Sequence, residues 1–433
     1  MTMLPALLAL ACTPSLAVAQ AVGDGTWRTS GNRILDAQGR EVRFSGVNWN
    51  GFESGNFAPH GLWGGARNWK SMLQQMDALG FNLIRLPFAG ETLTPGRMPQ
   101  NIDYGLNPDL AGKTSIEIMD LIVVECGTLG IRIILDYHRI RAGGSPEDGL
   151  WFIPGSAHTE QLWIDNWKTL VGRYAGNPTV VGVDLFNEVH AGPHPGPFWS
   201  ADGVNEPYNW RTAARRCGDA ILSVNPNLLI CVQGMHEYQG QSGWWGAVHL
   251  GVKDHPLTLA VPNRLVYSVH DYGPNVWVQP WHNDPAFPAN LPAHWDAQWG
   301  FLHDQGIAPV WIGEWGSKLD IPKEVQWATA LRDYIVQRGL SWTWWCWNPN
   351  SGDTGGILKD DWTTTHPAKL DLVAPAMTPG FSGSGGGAVP PAGGGGAGGG
   401  SGGGEGSEGC GALGLEAALV LAAGALLGRS PRR

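Results

Sequence analysis

The sequence predicts an α/β fold, a closed (β/α)8 TIM barrel in which eight parallel strands alternate with helices. Apolar runs of strand length alternate with stretches of helical spacing between residues 22 and 375, and this alternation implies parallel strand pairing. The apolar runs number eight, which is the number of strands that such a barrel needs. Each run is almost continuously apolar, as expected for strands that are buried on both faces.

The predicted strands recur along the whole body of the chain. They occupy residues 42–48, 81–87, 131–137, 180–187, 228–233, 265–271, 309–313 and 341–347. Helices are predicted in several of the intervals between them. Met72, Met76 and Leu79 repeat at helical spacing before Gly80, and glycine commonly ends a helix. Three more helices are predicted at residues 116–129, 210–223 and 325–338.

Some loops of this barrel are predicted to be long. The body exceeds the ~250 residues of a typical barrel. We therefore expect long loops at the C-terminal face, with residues 139–160, 189–209 and 235–263 as the candidates. An open doubly wound sheet is the alternative fold, and it predicts a glycine-rich phosphate loop after the first strand. The stretch Asn-Trp-Asn-Gly-Phe at residues 48–52 is not such a loop.

The composition restricts the partners and cofactors that we expect. The formal net charge is -10 and the sequence contains no basic stripe, so we expect no nucleic acid partner. Cys126, Cys217, Cys231 and Cys346 lack the spacing of metal ligands. We expect them to be buried free thiols, and one disulfide is the alternative in an exported protein. We expect no metal, no cofactor and a monomer.

Tryptophan is unusually abundant, with 23 residues in a chain that has 28 lysines and arginines. Indole rings fill protein cores, and they also stack on the flat faces of sugars. Core packing accounts for roughly half of them, because large aromatic side chains are well buried on average. The remainder is consistent with a surface that binds carbohydrate.

The two ends of the chain differ in composition from the body at residues 22–378. Residues 1–21 form an apolar stretch followed by small residues, a pattern typical of a secretory signal peptide. Residues 379–409 are almost all glycine, serine and alanine, which predicts a disordered linker because such a segment buries little apolar surface. We therefore expect a secreted or surface-displayed protein.

Residues 410–433 form a separate tail. It contains Cys410 after a glycine, then an apolar run that is short for a membrane span, and finally Arg429, Arg432 and Arg433. This arrangement resembles the myxobacterial-type C-terminal sorting signal. The resemblance implies processing by a sorting protease at the membrane and display at the cell surface, and a simple membrane anchor is the alternative.

Polar and aromatic residues follow the predicted strands at six places. In barrels of this kind, catalytic groups project from the carboxyl ends of the strands. The residues at these ends are Arg85, His138, Asn187, Glu188, His270, Tyr272, Glu314 and Trp347. Packing alone does not explain so many polar groups at the ends of apolar strands. Two carboxylates at strand ends are what acid/base and nucleophilic chemistry on a glycosidic bond requires.

Motifs at these strand ends resemble those of glycoside hydrolase family 5. The acid/base and nucleophile motifs of that family look like Leu185-Phe186-Asn187-Glu188 and Trp311-Ile312-Gly313-Glu314. Other stretches resemble the bacterial endo-β-1,4-glucanases of the family and occur in the family's order. They lie at residues 85–87, 135–139, 223–228, 261–268, 270–272 and 347–356, so the resemblance covers about residues 24–375.

The resemblance implies a role for each candidate residue. Glu188 would be the general acid/base and Glu314 the nucleophile. Asn187 would hold the sugar 2-hydroxyl, while Arg85 and Tyr272 would hydrogen-bond Glu314. The residues implied to surround the substrate are His138 and His270 at the cleavage subsite, Trp347 as its stacking floor, and Trp63, Trp245 and Trp281 along the cleft.

The implied reaction is hydrolysis of internal β-1,4-glucosidic bonds by double displacement with retention, with carboxyl groups about 5–5.5 Å apart. Two departures from the family concern the loop after Glu188: Val189 replaces the usual proline, and residues 191–195 lack a cysteine pair. Mannan, xyloglucan and mixed-linkage glucan are the alternative substrates for the same chemistry. A surface protein that binds glucan without cleaving it is the alternative of a different class.

Overall fold

The computed structural model describes residues 22–64, 67–143 and 149–381. Its strands, in chain order, are β1 (Arg28–Ser30), β2 (Arg33–Leu35), β3 (Glu41–Val42), β4 (Ser45–Asn48), β5 (Leu83–Ala89), β6 (Arg132–Arg139), β7 (Val180–Asp184), β8 (Leu229–Gln233), β9 (Glu237–Tyr238), β10 (Gln241–Ser242), β11 (Leu265–His270), β12 (Val310–Trp315) and β13 (Ser341–Trp344). The α-helices are α1 (Trp69–Ala78), α2 (Ser115–Leu129), α3 (Glu160–Arg173), α4 (Trp210–Val224), α5 (Gly251–Asp254), α6 (Leu291–Trp295), α7 (Phe301–Asp304), α8 (Pro322–Arg338) and α9 (Pro367–Val373).

Eight parallel strands close into a barrel, which confirms the predicted fold. The barrel order is β4, β5, β6, β7, β8, β11, β12 and β13, and β13 pairs with β4 to complete the ring. Each barrel strand overlaps one of the eight predicted runs. The strands are almost entirely buried, which explains why their sequences are continuously apolar.

The helices predicted from spacing are present, and local signals explain their ends. Asn68 precedes α1 and accepts hydrogen bonds from the amides of Lys70 and Ser71. The predicted helix before Gly130 is α2, and Gly130 has a left-handed backbone with φ of 83°. Glycine adopts that conformation without the steric cost that a Cβ atom imposes.

All eight predicted strands differ from the observed ones at one end or both, and three of them extend three residues too far. Val42 lies outside the barrel, because it belongs to β3 and pairs with Ile34 of β2. Its side chain is nevertheless buried, so hydrophobicity did not separate it from the barrel strand that follows. The ladders of β7 and β13 end at Asp184 and Trp344, each three residues before the predicted end, and the backbone beyond them is irregular.

The three-stranded sheet β1–β3 packs under the amino ends of the barrel strands. Trp27 stacks on Phe44 at 5.6 Å between ring centroids, and Phe381 meets Trp27 edge-on at 5.0 Å. These rings belong to an apolar cluster with the lower residues of the barrel interior, such as Leu83 and Trp311. Packing therefore extends to Phe381, beyond the predicted end of the body at residue 378.

Several predictions from the sequence concern residues outside the described ranges. These are the signal peptide at 1–21, nearly all of the linker at 379–409 and the tail at 410–433. Within the described part of the chain, no helix has the length and apolar character that crossing a membrane requires. Cys126, Cys217, Cys231 and Cys346 are all buried and unpaired with one another.

Candidate active site

A cleft of about 480 Å³ opens at the carboxyl ends of the barrel strands. This volume lies in the usual range for small-ligand pockets, about 300–1,000 Å³. Its polar lining includes His138, Asn187, Glu188, Tyr272, Glu314 and Asp353. Its aromatic lining includes Trp244, Trp245, Trp277 and Trp345. The cleft therefore combines converging carboxyl groups with flat apolar surfaces.

Glu188 and Glu314 reach the cleft from strands that are not neighbours in the barrel. Glu314 belongs to β12, whereas Glu188 lies four residues beyond the end of β7. The backbone of Glu188 is left-handed, with φ of 49°, and its amide donates to Gln233 Oε1 at 2.7 Å. A carboxylate oxygen of Glu188 lies within 4.8 Å of one of Glu314.

Glu314 is held by two strong donors. Arg85 Nη1 lies 2.5 Å from Glu314 Oε1, and the Tyr272 hydroxyl donates to Oε2 at 2.6 Å. The Glu314 side chain is only 4% exposed, and Arg85 is completely buried. Hydrogen bonds from a cation and a phenol favour the ionised form of a carboxyl group.

Arg85 also connects Glu314 to the rest of the barrel. Its guanidinium donates to Asn48 of β4, Asp184 of β7 and Asn187 at 2.9–3.0 Å. It also forms an ion pair of 2.9 Å with Asp136 of β6. One buried cation is therefore surrounded by polar groups from four strands and one loop.

Glu188 has fewer partners than Glu314. Its Oε1 lies 2.9 Å from His270 Nδ1, and the Glu188 side chain is 18% exposed. His270 Nδ1 is also 3.5 Å from Glu314 Oε2, so the ring lies against both carboxyl groups. His270 itself is completely buried. It therefore lies behind the glutamates and does not line the cleft, which corrects the expected lining position.

The pKa values of the two carboxyl groups are raised to a similar extent, although their neighbours differ. Burial raises the pKa of both Glu188 and Glu314 to about 7. At Glu314 this shift is opposed by His270, Arg85 and the Tyr272 hydroxyl. At Glu188 it is opposed by Arg85 and increased by the negative charge of Asp353. Because the two groups are close together, they titrate as a pair. The donors on Glu314 favour the state in which the shared proton is on Glu188.

Asn187 and His138 form a second polar group beside Glu188. Asn187 Oδ1 accepts from Arg85 at 2.9 Å, and its Nδ2 lies 3.4 Å from His138 Nε2. An amide nitrogen only donates, so His138 Nε2 is the acceptor and Nδ1 carries the proton. Nδ1 is 2.7 Å from Asp136 Oδ2. Burial holds the pKa of His138 well below its usual value, so the ring is neutral.

The structure corrects the position of the predicted stacking tryptophan. Trp347 is completely buried, and it contacts the core rather than the cleft. Trp345 lines the cleft and lies parallel to the His138 ring, with 5.4 Å between centroids and 8° between planes. Because β13 ends at Trp344, Trp345 is the first residue beyond the ladder. The predicted strand extended to residue 347, and the stacking position was therefore predicted at Trp347 instead of Trp345.

Of the three other tryptophans predicted along the cleft, one lines it and two do not. Trp245 lines the cleft. Trp63 does not line it and packs edge-on against Trp362, with ring centroids 4.8 Å apart. Trp281 also lies outside the lining and stacks on His294 at 4.0 Å. Trp244 and Trp277 line the cleft instead, although the sequence interpretation did not select them.

Other residues of the site were also missed from the sequence. Asp136 lies inside β6 and Asp184 ends β7, and both contact Arg85. Their position just before the residues that were selected is a signal that could have found them. Gln233, at the end of β8, bonds both Asp184 and the Glu188 amide. Asp353 reaches the cleft from an irregular loop, and the only sequence signal for it was its place in the stretch 347–356 that resembles the family.

Glu188, His270 and Glu314 are residue types that can also bind a metal ion. One potential ligand atom from each residue lies within 4.8 Å of the others, a spacing that a cation could bridge. However, the guanidinium of Arg85 lies 2.5 Å from Glu314 and opposes a second cation there. The donor set therefore suits proton transfer and covalent chemistry better than metal binding.

The barrel and the paired carboxyl groups agree with the comparison to known families. The cellulase family, glycosyl hydrolase family 5, matches residues 35–351. This match spans most of the chain, and the chain belongs to that family.

Individual relatives are similar over nearly the whole barrel. An endoglucanase of Paenibacillus polymyxa is 48% identical over 373 residues, which are 85% of this chain and 90% of the relative. The major extracellular endoglucanase of Xanthomonas campestris is 38% identical over 84% of this chain and 74% of the relative. The solved endocellulase of Pyrococcus horikoshii has a TM-score of 0.75 and 38% identity, covering 83% of this chain and 100% of that structure.

Proposed function

We propose that this protein is a retaining endo-β-1,4-glucanase that hydrolyses internal bonds of cellulose and soluble β-glucans. The observation that carries the proposal is the pair of Glu188 and Glu314, whose oxygens approach within 4.8 Å in a tryptophan-lined cleft. Retaining enzymes have carboxyl groups about 5–5.5 Å apart, while inverting enzymes need about 6.5–9.5 Å to admit a water. Relatives named endoglucanase and endocellulase support the substrate class.

The geometry suggests how the two glutamates share the reaction. Glu188 holds the shared proton and gives it to the glycosidic oxygen as the bond to the anomeric carbon breaks. Glu314, ionised by its contacts to Arg85 and Tyr272, attacks the same carbon and forms a glycosyl-enzyme. Glu188 then takes a proton from water, which attacks the anomeric carbon and releases Glu314. Two displacements at one carbon preserve its configuration.

Substituting each glutamate tests these roles. Glu188→Gln and Glu314→Gln should each lower kcat on carboxymethyl-cellulose by at least about 10²-fold, the lower range for acid/base catalysis. Glu41→Gln is the matched control, because Glu41 is exposed on β3 below the barrel. The anomeric configuration of the first products is followed by NMR. Full activity of Glu314→Gln would contradict the nucleophile assignment, and inverted products would contradict the retaining mechanism.

The same measurements distinguish the substrate and the alternative class of function. The endocellulase of Pyrococcus horikoshii has been solved with cellotetraose in glutamate-to-alanine and tyrosine-to-phenylalanine variants, which supports a β-glucan for this chain. Wild-type protein should cleave carboxymethyl-cellulose faster than mannan or xyloglucan. Faster cleavage of mannan or xyloglucan would reassign the substrate. Binding of glucan without any cleavage would make the chain a binding protein.

We also propose that the protein acts as a monomer outside the cytoplasm, displayed on the cell surface. The sequence patterns at residues 1–21 and 379–433 support this location, and one relative is described as extracellular. Protease treatment of intact cells should remove glucanase activity from cells that express the full chain. Replacing Cys410 with serine should release the protein from the surface if the tail is a sorting signal. Unchanged display would favour a simple anchor.

A further inference from the structure

The loop after Glu188 contains His190, which has no role in the proposed reaction so far. His190 is 6% exposed and lines the cleft wall beside Glu188. Its Nδ1 lies 2.6 Å from the carbonyl oxygen of Glu188. A carbonyl oxygen only accepts a hydrogen bond, so His190 Nδ1 carries a proton and donates it.

The His190 ring is fixed from its other side by an aromatic contact. It lies against Trp245 with 3.6 Å between centroids and 3° between planes. This stack determines the rotation of the imidazole, and therefore the direction in which Nδ1 points. Trp245 itself lines the cleft, so one face of the pair is available to a sugar.

The backbone of His190 is held as well. Its amide donates to the Gly149 carbonyl at 3.1 Å. A Cβ atom on Gly149 would lie 2.2 Å from the His190 carbonyl oxygen, and the φ of Gly149 is +71°. Only glycine permits this approach at that backbone angle. The loop at His190 is therefore packed between Gly149 and Trp245.

These contacts restrain the backbone next to Glu188, which has a strained conformation. The φ of Glu188 is 49°, a left-handed value that costs energy for any residue with a Cβ atom. Gln233 holds its amide, and His190 holds its carbonyl. Val189, between Glu188 and His190, is completely buried. The hydrogen bond from His190 adds a polar restraint on the carbonyl side of Glu188.

We propose that His190, clamped by Trp245, is a positioning residue that aims the carboxyl group of Glu188 at the leaving oxygen. This inference rests on the proposed function, since it assumes that Glu188 is the acid. His190 itself touches no reacting atom. Its loss should therefore weaken proton donation more than nucleophilic attack by Glu314.

The test separates the hydrogen bond from the stack. His190→Phe keeps an aromatic ring against Trp245 but loses the donor, whereas His190→Asn keeps a donor at the position of Nδ1 but loses the ring. Each is assayed on carboxymethyl-cellulose and on a series of aryl β-cellobiosides from phenyl to dinitrophenyl. Dinitrophenolate leaves without a proton, so its release does not depend on Glu188.

His190→Phe should lower kcat/KM on carboxymethyl-cellulose and on phenyl cellobioside by roughly 10²-fold, the effect of a misplaced acid. On dinitrophenyl cellobioside kcat/KM should change little. His190→Asn should restore acid-dependent cleavage, with a higher KM for the polymer because Trp245 loses its support. Equal losses for all leaving groups, or none, would overturn the proposal. His303→Phe on α7, remote from the cleft, is the control for the substitution itself.

Folding of the variants and the activity of the wild-type protein are measured alongside. If His190→Phe does not fold, as judged by circular dichroism, His190→Asn decides alone: a strong dependence on the leaving group despite its donor would overturn the proposal. If wild-type protein does not cleave glucan with retention, the proposed function fails. If wild type cleaves and His190→Phe behaves like it on every substrate, only the positioning role fails.

Discussion

Glu188 and Glu314 have the same side chain but different environments, and that difference supports the roles proposed for them. Glu314 receives hydrogen bonds from Arg85 and Tyr272, whereas the carboxyl group of Glu188 contacts His270. Burial raises the pKa of both groups. The donors on Glu314 therefore support its proposed role as the ionised nucleophile and that of Glu188 as the acid.

At this scale, Tyr272→Phe tests the ionisation of Glu314. The substitution removes a 2.6 Å hydrogen bond to Oε2 that favours the ionised form, so the pKa of Glu314 should rise. Because the nucleophile must be ionised, the acid limb of the kcat/KM profile should move upward by about one pH unit, the equivalent of one hydrogen bond to a charged group. Tyr104→Phe, at an exposed position, should leave the profile unchanged. A downward shift would contradict this account.

Asp353→Asn tests the ionisation of Glu188 in the opposite direction. Burial is the main cause of the raised pKa of Glu188, and the negative charge of Asp353 adds to it. Removing that charge should lower the pKa of Glu188, so the proton would be lost at lower pH. The basic limb of kcat/KM should therefore move to lower pH, while Asp371→Asn on α9 should not move it. An unchanged basic limb would exclude an influence of Asp353.

Among the structural elements, the end of β13 and the loop after it contain tryptophans whose side-chain directions the sequence left ambiguous. Trp344, Trp345 and Trp347 lie within four residues, and all three have large apolar side chains. Strand alternation predicts their directions only while the ladder continues, and β13 ends at Trp344. Beyond that point the direction of each indole depends on contacts that are distant in sequence.

Truncating the two indoles should have separate consequences. Trp345→Ala should lower kcat/KM on carboxymethyl-cellulose by roughly tenfold or more, because a stacking surface in the cleft is lost. Trp347→Ala should instead lower the free energy of unfolding by about 3–5 kcal/mol, the usual cost of truncating a buried large aromatic. Kinetics and urea denaturation of both variants check this. The reverse pattern would show that Trp347 is the surface that binds sugar.

The barrel strands and the helices α1, α2, α4 and α8 were predictable because each depends on a local pattern. Continuous apolar runs mark strands that are covered on both faces, and Gly130 marks the end of α2 by its own backbone preference. The strand ends also indicated which residues would meet, because parallel strands bring their carboxyl ends to one rim. Contacts such as Asp353 near Glu188, or Trp345 over His138, depend on how irregular loops fold back, which no local pattern encodes.

In the whole molecule, the cleft and the apolar cluster that covers the barrel are at opposite ends. The cleft lies at the carboxyl ends of the strands, and the cluster of Trp27, Phe44 and Phe381 covers the amino ends. This separation lets one end contribute to stability without touching substrate.

Trp27→Ala should therefore reduce stability and leave catalysis intact. Trp27 is 1% exposed, so its truncation should lower the free energy of unfolding by about 3–5 kcal/mol. At temperatures where the variant is folded, kcat and KM should match the wild type. Leu162→Ala, an exposed truncation on α3, should change stability by only about 0.5 kcal/mol. A large fall in kcat of folded Trp27→Ala would show that the two ends are coupled.

The buried guanidinium of Arg85 has a consequence for the speed of the reaction. It is bonded to groups on β4, β6, β7 and β12, so it moves only if the barrel itself deforms. In the proposed reaction Glu314 changes from a free carboxylate to a covalent ester and back, and the surrounding dipoles have little freedom to reorient. In water, solvent would have to reorganise at each of these steps, and that work forms part of the barrier. Here folding has already oriented those dipoles.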